Sequence, residues 1–129
     1  MKFISTKIHG LIDLLLFVLL LAAPYYFGFT GVLAMFTYML AAVQLLLTVL
    51  TRYAIGIFKV IPPAVHGSIE FIVGIALIVL AYTLFKDNAD GKLFYVIFGT
   101  VLLLTWLVTD YQGAVPKKRD SREYGGAEL

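Results

Sequence analysis

The chain has no cysteine among its 129 residues, which excludes disulfides, thiolate metal ligands and a cysteine nucleophile, and leaves the redox compartment open. Charge is scarce as well. Asp, Glu, Lys and Arg make up 14% of the residues, against about 25% in a soluble domain, while 61% are hydrophobic. Water alone would not keep such a chain dispersed. No phosphate-cradling glycine loop, nucleophile elbow, zinc-protease helix or dinucleotide fingerprint is present, so ordinary soluble-enzyme chemistry is absent. The net charge of +2 is small and forms no nucleic-acid-binding face.

What is abundant is long apolar runs. A crossing of the bilayer takes about 20 apolar residues, so four crossings use about 80 and leave short loops and a tail. The first span reads from His9 to Phe29, with Ser5 or Thr6 as a helix cap and a kink expected at Pro24. Gly28, Thr30 and Gly31 then make a tight turn, and the second span runs from Val32 to Thr51. Ile61-Pro62-Pro63 can start a helix but not continue one, which opens the third span, reaching Phe85. Lys86 to Lys92 reads as a polar turn and Leu93 to Thr109 as the fourth span. The expected architecture is an all-α bundle of four transmembrane helices over residues 1–112, with 113–129 a charged tail expected to be disordered.

The first thirty residues imitate a secretory signal, because Lys2 and Lys7 precede a leucine-rich run ending at Ala22-Ala23. His9 and Asp13 interrupt that run and Tyr25 to Phe29 extend it, so it reads as a retained span. Lys2, Lys7, Arg52, Lys59, Lys117, Lys118, Arg119 and Arg122 flank one side of this topology, and only Lys86 and Lys92 the other. The positive-inside rule then puts both termini and the central connector in the cytoplasm.

Sliding the sequence against itself by 57 residues places His9-Gly10 on His66-Gly67, Ile12 on Ile69, Asp13 on Glu70, Tyr25 on Tyr82 and Tyr38 on Tyr95. The same offset lays Leu45-Leu46-Leu47-Thr48 on Leu102-Leu103-Leu104-Thr105. Leucine matches carry little weight between membrane helices; the polar matches carry the argument. The reading is two tandem helical hairpins, 8–53 and 65–110, related by an axis along the membrane normal.

The duplicated element is His-Gly-x-x-acid. A histidine and a carboxylate four positions apart share one face of a helix, and a carboxylate at the edge of hydrocarbon must be paired, protonated or ligated. If the two halves pack face to face, His9, Asp13, His66 and Glu70 converge near the cytoplasmic boundary. Gly10 and Gly67 clear space beside the histidines for a helix or a flat ligand. Four uses of such a cluster stand open: ligation of a divalent transition metal by all four residues, a haem clamped between His9 and His66, proton or small-solute passage, and simple pairing that registers two helices. Gln44, Arg52 and Asp110 are secondary polar candidates, with Gln44 expected to join helices and Arg52 to meet Asp110. Outside the cytoplasmic third the spans carry little but Gln44 and a few hydroxyls, so the outer half is expected to be sealed and apolar.

Ile4-Ser5-Thr6-Lys7-Ile8-His9-Gly10, leading into a span that closes Ala23-Pro24-Tyr25-Tyr26-Phe27-Gly28-Phe29, resembles the SPW-repeat family of small bacterial membrane proteins. Thr51-Arg52-Tyr53, Gly56, Ile61-Pro62 and His66 are similar to that family's connector and second-repeat start, and the likeness covers roughly residues 4 to 110. Ala23 and Tyr25 stand where the family has Ser and Trp, and Leu80-Ala81-Tyr82 lacks the proline. The resemblance implies a duplicated four-span protein of the bacterial inner membrane and assigns no activity. The function expected from all of this is a non-enzymatic membrane protein whose polar site binds an ion or small ligand, with a haem or metal redox protein and a transporter as alternatives. Its first partner is the lipid bilayer, and four short spans leave self-association open.

Overall fold

A computed structural model describes residues 3–53 and 56–111 of the chain. The expected disordered tail at 113–129, with four of the topology-defining basic residues, lies outside the described residues, as does Lys2. Four helices follow one another: α1 (Thr6–Tyr26), α2 (Gly31–Leu50), α3 (Pro63–Tyr82) and α4 (Ala89–Val108). All four are long and apolar enough to cross a membrane, and among the described residues no strand forms, only two isolated backbone bridges.

The boundaries follow from local chemistry. Ser5 caps α1, its hydroxyl accepting from the Ile8 amide at 3.3 Å. Pro24 falls in the last turn of α1, and the helix stops at Tyr26, so the proline acts at the terminus and not as a mid-span kink. Pro62 and Pro63 start α3 as expected, in positions where a missing amide hydrogen is harmless. The polar stretch expected as a turn up to Lys92 is shorter than that. Asn88 is a helix cap, its side chain accepting from the Gly91 amide at 2.8 Å, and Asp90 to Lys92 already belong to α4.

Each helix turns a narrow stripe inward and leaves the rest of its surface outside the bundle. On α1 the buried residues are His9, Gly10, Asp13, Leu16, Leu20, Ala23 and Pro24, and on α3 they are Pro63, His66, Gly67, Glu70, Gly74, Leu77 and Ala81. That spacing of three and four residues is the seam of an antiparallel bundle. The outward residues, among them Leu15, Val18, Met35, Ile72 and Leu104, are large, apolar and exposed. In water such a surface would aggregate; in lipid it is solvated.

α1 packs on α2 and α3 on α4, the second pair more closely. Glycine is the reason. A Cβ on Gly99 would stand 2.6 Å from the Gly74 carbonyl oxygen, so the two backbones touch where side chains would hold them apart. The end of the bundle at the α1–α2 and α3–α4 turns is aromatic, with Phe85 stacked on Tyr95 and Phe36 edge-on to it. Even there the core is not wholly apolar as expected, because Thr37 bonds the Tyr95 hydroxyl at 2.5 Å. The opposite end is polar and is closed by short backbone bridges: Ile4 runs beside Thr109, and Ile61 beside Thr51. Phe3 and Ile4 donate to the Val108 carbonyl, and Val60 and Ile61 to that of Leu50, which satisfies the exposed carbonyls at the ends of α4 and α2.

Candidate metal centre

The bridged end brings all four helices to one point. His9 and Asp13 come from α1, His66 and Glu70 from α3, and the ends of α2 and α4 supply Thr51 and Thr109. His9, Asp13 and His66 are fully buried and Glu70 is 2% exposed. The sequence-derived convergence of these four residues is what the structure displays.

Both imidazoles point Nε2 at both carboxylates. His9 Nε2 lies 2.8 Å from Glu70 Oε2 and 3.4 Å from Asp13 Oδ1. His66 Nε2 lies 3.2 Å from Asp13 Oδ2 and 3.2 Å from Glu70 Oε1. Each carboxylate therefore spans the two rings, one oxygen to each. One ligand atom per residue can be chosen so that all four lie within 4.8 Å of one another. With the ring hydrogens on Nδ1, the two Nε2 atoms and the four carboxylate oxygens have no other hydrogen-bond partner than one another.

The other ring nitrogens are accounted for. His9 Nδ1 is 2.7 Å from Thr109 Oγ1, and His66 Nδ1 is 2.7 Å from Thr51 Oγ1. Each threonine hydroxyl already donates its one hydrogen to the carbonyl four residues back, Thr109 to Thr105 and Thr51 to Leu47, both at 2.6 Å. Its oxygen can then only accept, so Nδ1 carries the hydrogen in both rings. A neutral ring in that tautomer presents a lone pair at Nε2. Two lone pairs and two carboxylates repel one another unless positive charge sits among them, as hydrogens on the rings or as a metal ion.

Two tyrosines close the site. Tyr53 is 1% exposed, with its ring centroid 5.6 Å from that of His9 and 5.2 Å from that of His66. Tyr111 lies 5.5 Å from His9, and its ring fills the space beside Gly67, where a Cβ would come within 2.5 Å of it. The gap at that glycine thus admits an aromatic side chain of this chain, not another helix or a flat ligand. Burial, reinforced by the charges of Asp13 and Glu70, pushes the Tyr53 phenol well above its ordinary range. Burial raises the Tyr111 phenol too, helped by Glu70 and opposed by its hydrogen bond to Thr109.

A haem between His9 and His66 does not fit this arrangement. The two rings stand edge to face with centroids 5.6 Å apart, and the carboxylates of Asp13 and Glu70 already span the interval that a macrocycle would need. A single small ion meets no such obstacle, and the donor set of two imidazoles and two carboxylates suits a transition metal.

Of the secondary candidates, Gln44 is buried on α2, and its amide nitrogen has no hydrogen-bond partner. Arg52 sends its Nε to the Lys59 carbonyl at 3.1 Å, and the Asp110 amide donates to the Ile4 carbonyl at 2.9 Å. Neither belongs to the converging cluster. Thr51, Tyr53, Thr109 and Tyr111 were not foreseen as site residues. The signal was there, as Thr51-Arg52-Tyr53 and Thr109-Asp110-Tyr111, but these two triplets lie 58 residues apart while the histidines lie 57 apart, so a single-offset comparison splits them.

No protein-family model, curated protein or solved structure matches this chain.

Proposed function

We propose that this chain is a small, non-enzymatic membrane protein that binds a cation between its two halves, at His9, Asp13, His66 and Glu70. The observation that carries the reading is the buried convergence of two imidazoles and two carboxylates, one candidate ligand atom from each lying within 4.8 Å of the others. Four side-chain ligands enclosed by protein leave no open position for a substrate, which is the form of a holding site and not of a catalytic one. Because α1 and α3 supply two ligands each, a bound ion ties together two hairpins.

In this reading the protein is two tandem hairpins, with both termini and the site at the cytoplasmic face of a bacterial inner membrane. The repeat runs at an offset of 57 residues through α1 and α3, but the buried residues of α2 and α4 (Leu33 and Gly91, Thr37 and Tyr95, Gln44 and Leu102) correspond at 58, which replaces the pairing of Tyr38 with Tyr95 read at 57. Under that register Thr37 faces its own counterpart Tyr95, and Thr51 and Thr109 serve opposite histidines in the same way. The likeness to SPW-repeat proteins agrees with this duplication. Proton or solute passage is the weaker reading, because Leu20, Ala41, Leu77 and Leu102 are buried between the site and the far end.

The test is elemental analysis of the purified protein before and after incubation with a panel of cations, beside the D13N/E70Q variant. One bound ion per chain is expected in the parent and none at this site in the variant. Equal loading of the two, or an ion-free parent under every cation offered, refutes the proposal.

A further inference from the structure

Resting on the cation-site reading above, we infer that the ion is one divalent first-row transition metal, zinc-like in preference, held by two Nε2 atoms and two carboxylate oxygens, with Thr51 and Thr109 as the positioning residues that aim the imidazoles.

Charge sets the valence. Two neutral imidazoles and two carboxylates sum to minus two, so an ion that neutralises the buried set is divalent. Donor type sets the class. Calcium takes six to eight oxygen ligands and magnesium a near-octahedral, largely hydrated shell, whereas this site offers four residues, two of them imidazoles, and almost no solvent exposure. Around a tetrahedral zinc with bonds of roughly 2.0–2.1 Å, neighbouring ligand atoms stand about 3.3–3.4 Å apart; one ligand atom from each of the four residues lies within 4.8 Å of the others, so the side chains must draw inward to enclose an ion.

The threonines fix which nitrogen faces the acids. A ligating ring must keep its hydrogen on the far nitrogen. Both rings have it there, each held by a hydroxyl whose own hydrogen is committed to a helix carbonyl. One of these contacts joins residues 100 apart in sequence and the other residues 15 apart. Under the proposed duplication the two contacts correspond, each histidine taking the threonine of the other half.

The experiment uses the full-length protein in detergent, titrated with Co²⁺ as a spectroscopic probe and then with Zn²⁺, Mg²⁺ and Ca²⁺. One equivalent of Co²⁺ should produce the intense visible bands of four-coordinate cobalt, abolished by Zn²⁺ and untouched by Mg²⁺ or Ca²⁺. T51V/T109V should keep its helical circular dichroism but bind Zn²⁺ roughly 10- to 100-fold more weakly, and T51S/T109S should restore the affinity. If Mg²⁺ or Ca²⁺ occupies the site instead, or if the cobalt spectrum is the weak six-coordinate type, the transition-metal inference falls while cation binding stands. Unchanged affinity in a folded T51V/T109V overturns the positioning role. Failure of every cation to bind the parent overturns this inference and the reading beneath it.

Discussion

Tyr53 shows how one residue can be needed for its shape and indifferent in its polarity. Its ring covers both histidines, yet its hydroxyl is buried without a hydrogen-bond partner. Deleting an unsatisfied hydroxyl leaves little to lose, so Y53F should alter stability at neutral pH by less than about 1 kcal/mol. In alkali the two proteins should part. The folded phenol is raised above its unfolded value, so unfolded chains release the proton first, near pH 10. Tyr53 therefore contributes stability below about pH 10 that is lost above it. Unfolding curves in detergent, followed as pH rises past that point, should fall less steeply for Y53F; identical curves would show that the phenol is not held neutral by burial. Gly67 matters because Tyr111 lies against it and a larger residue would displace that ring.

At the scale of helices, the two hairpins differ in how they close. α3 and α4 meet backbone to backbone at Gly74 and Gly99, and α2 carries Ala41 in the buried stripe of the other hairpin. G99V puts its branched carbon against the Gly74 carbonyl and the Ile78 side chain. Overpacking of this kind costs about 1–3 kcal/mol. Thermal unfolding in detergent should register that loss, and an unchanged midpoint would mean that the α3–α4 contact is looser than the structure has it. Helix ends were legible in part. Ser5 and the Pro62-Pro63 pair announce their helices through ordinary capping chemistry. Asn88 was hidden inside a run of charged residues, where a cap and a turn look alike.

Across the whole molecule, the bridges Ile4 to Thr109 and Ile61 to Thr51 put the start of α1, the central connector and the end of α4 at one end, with the two hairpin turns at the other. In the proposed orientation, which rests on the positive-inside rule, the first end faces the cytoplasm. The absence of native cysteine makes that assignment easy to test. In intact cells a membrane-impermeant maleimide should label N88C, and should label K59C only after the membrane is permeabilised. The reverse pattern would invert the topology and move the site to the outer face.

Span number and hairpin order were readable from the chain alone because hydrophobic length is a local property: a run of some twenty apolar residues crosses lipid whatever surrounds it. The four cluster residues were readable too, since an interval of four residues puts His and acid on one helical face and the pattern occurs twice. Periodicity names the face of a helix but not the neighbour it meets. Only the folded bundle decided that His9 rests on Thr109 and His66 on Thr51, that two tyrosines cover them, and that carboxylates fill the space between the rings. Those contacts come from how helices distant in sequence rotate and settle against one another, and no spacing within a single span records that rotation.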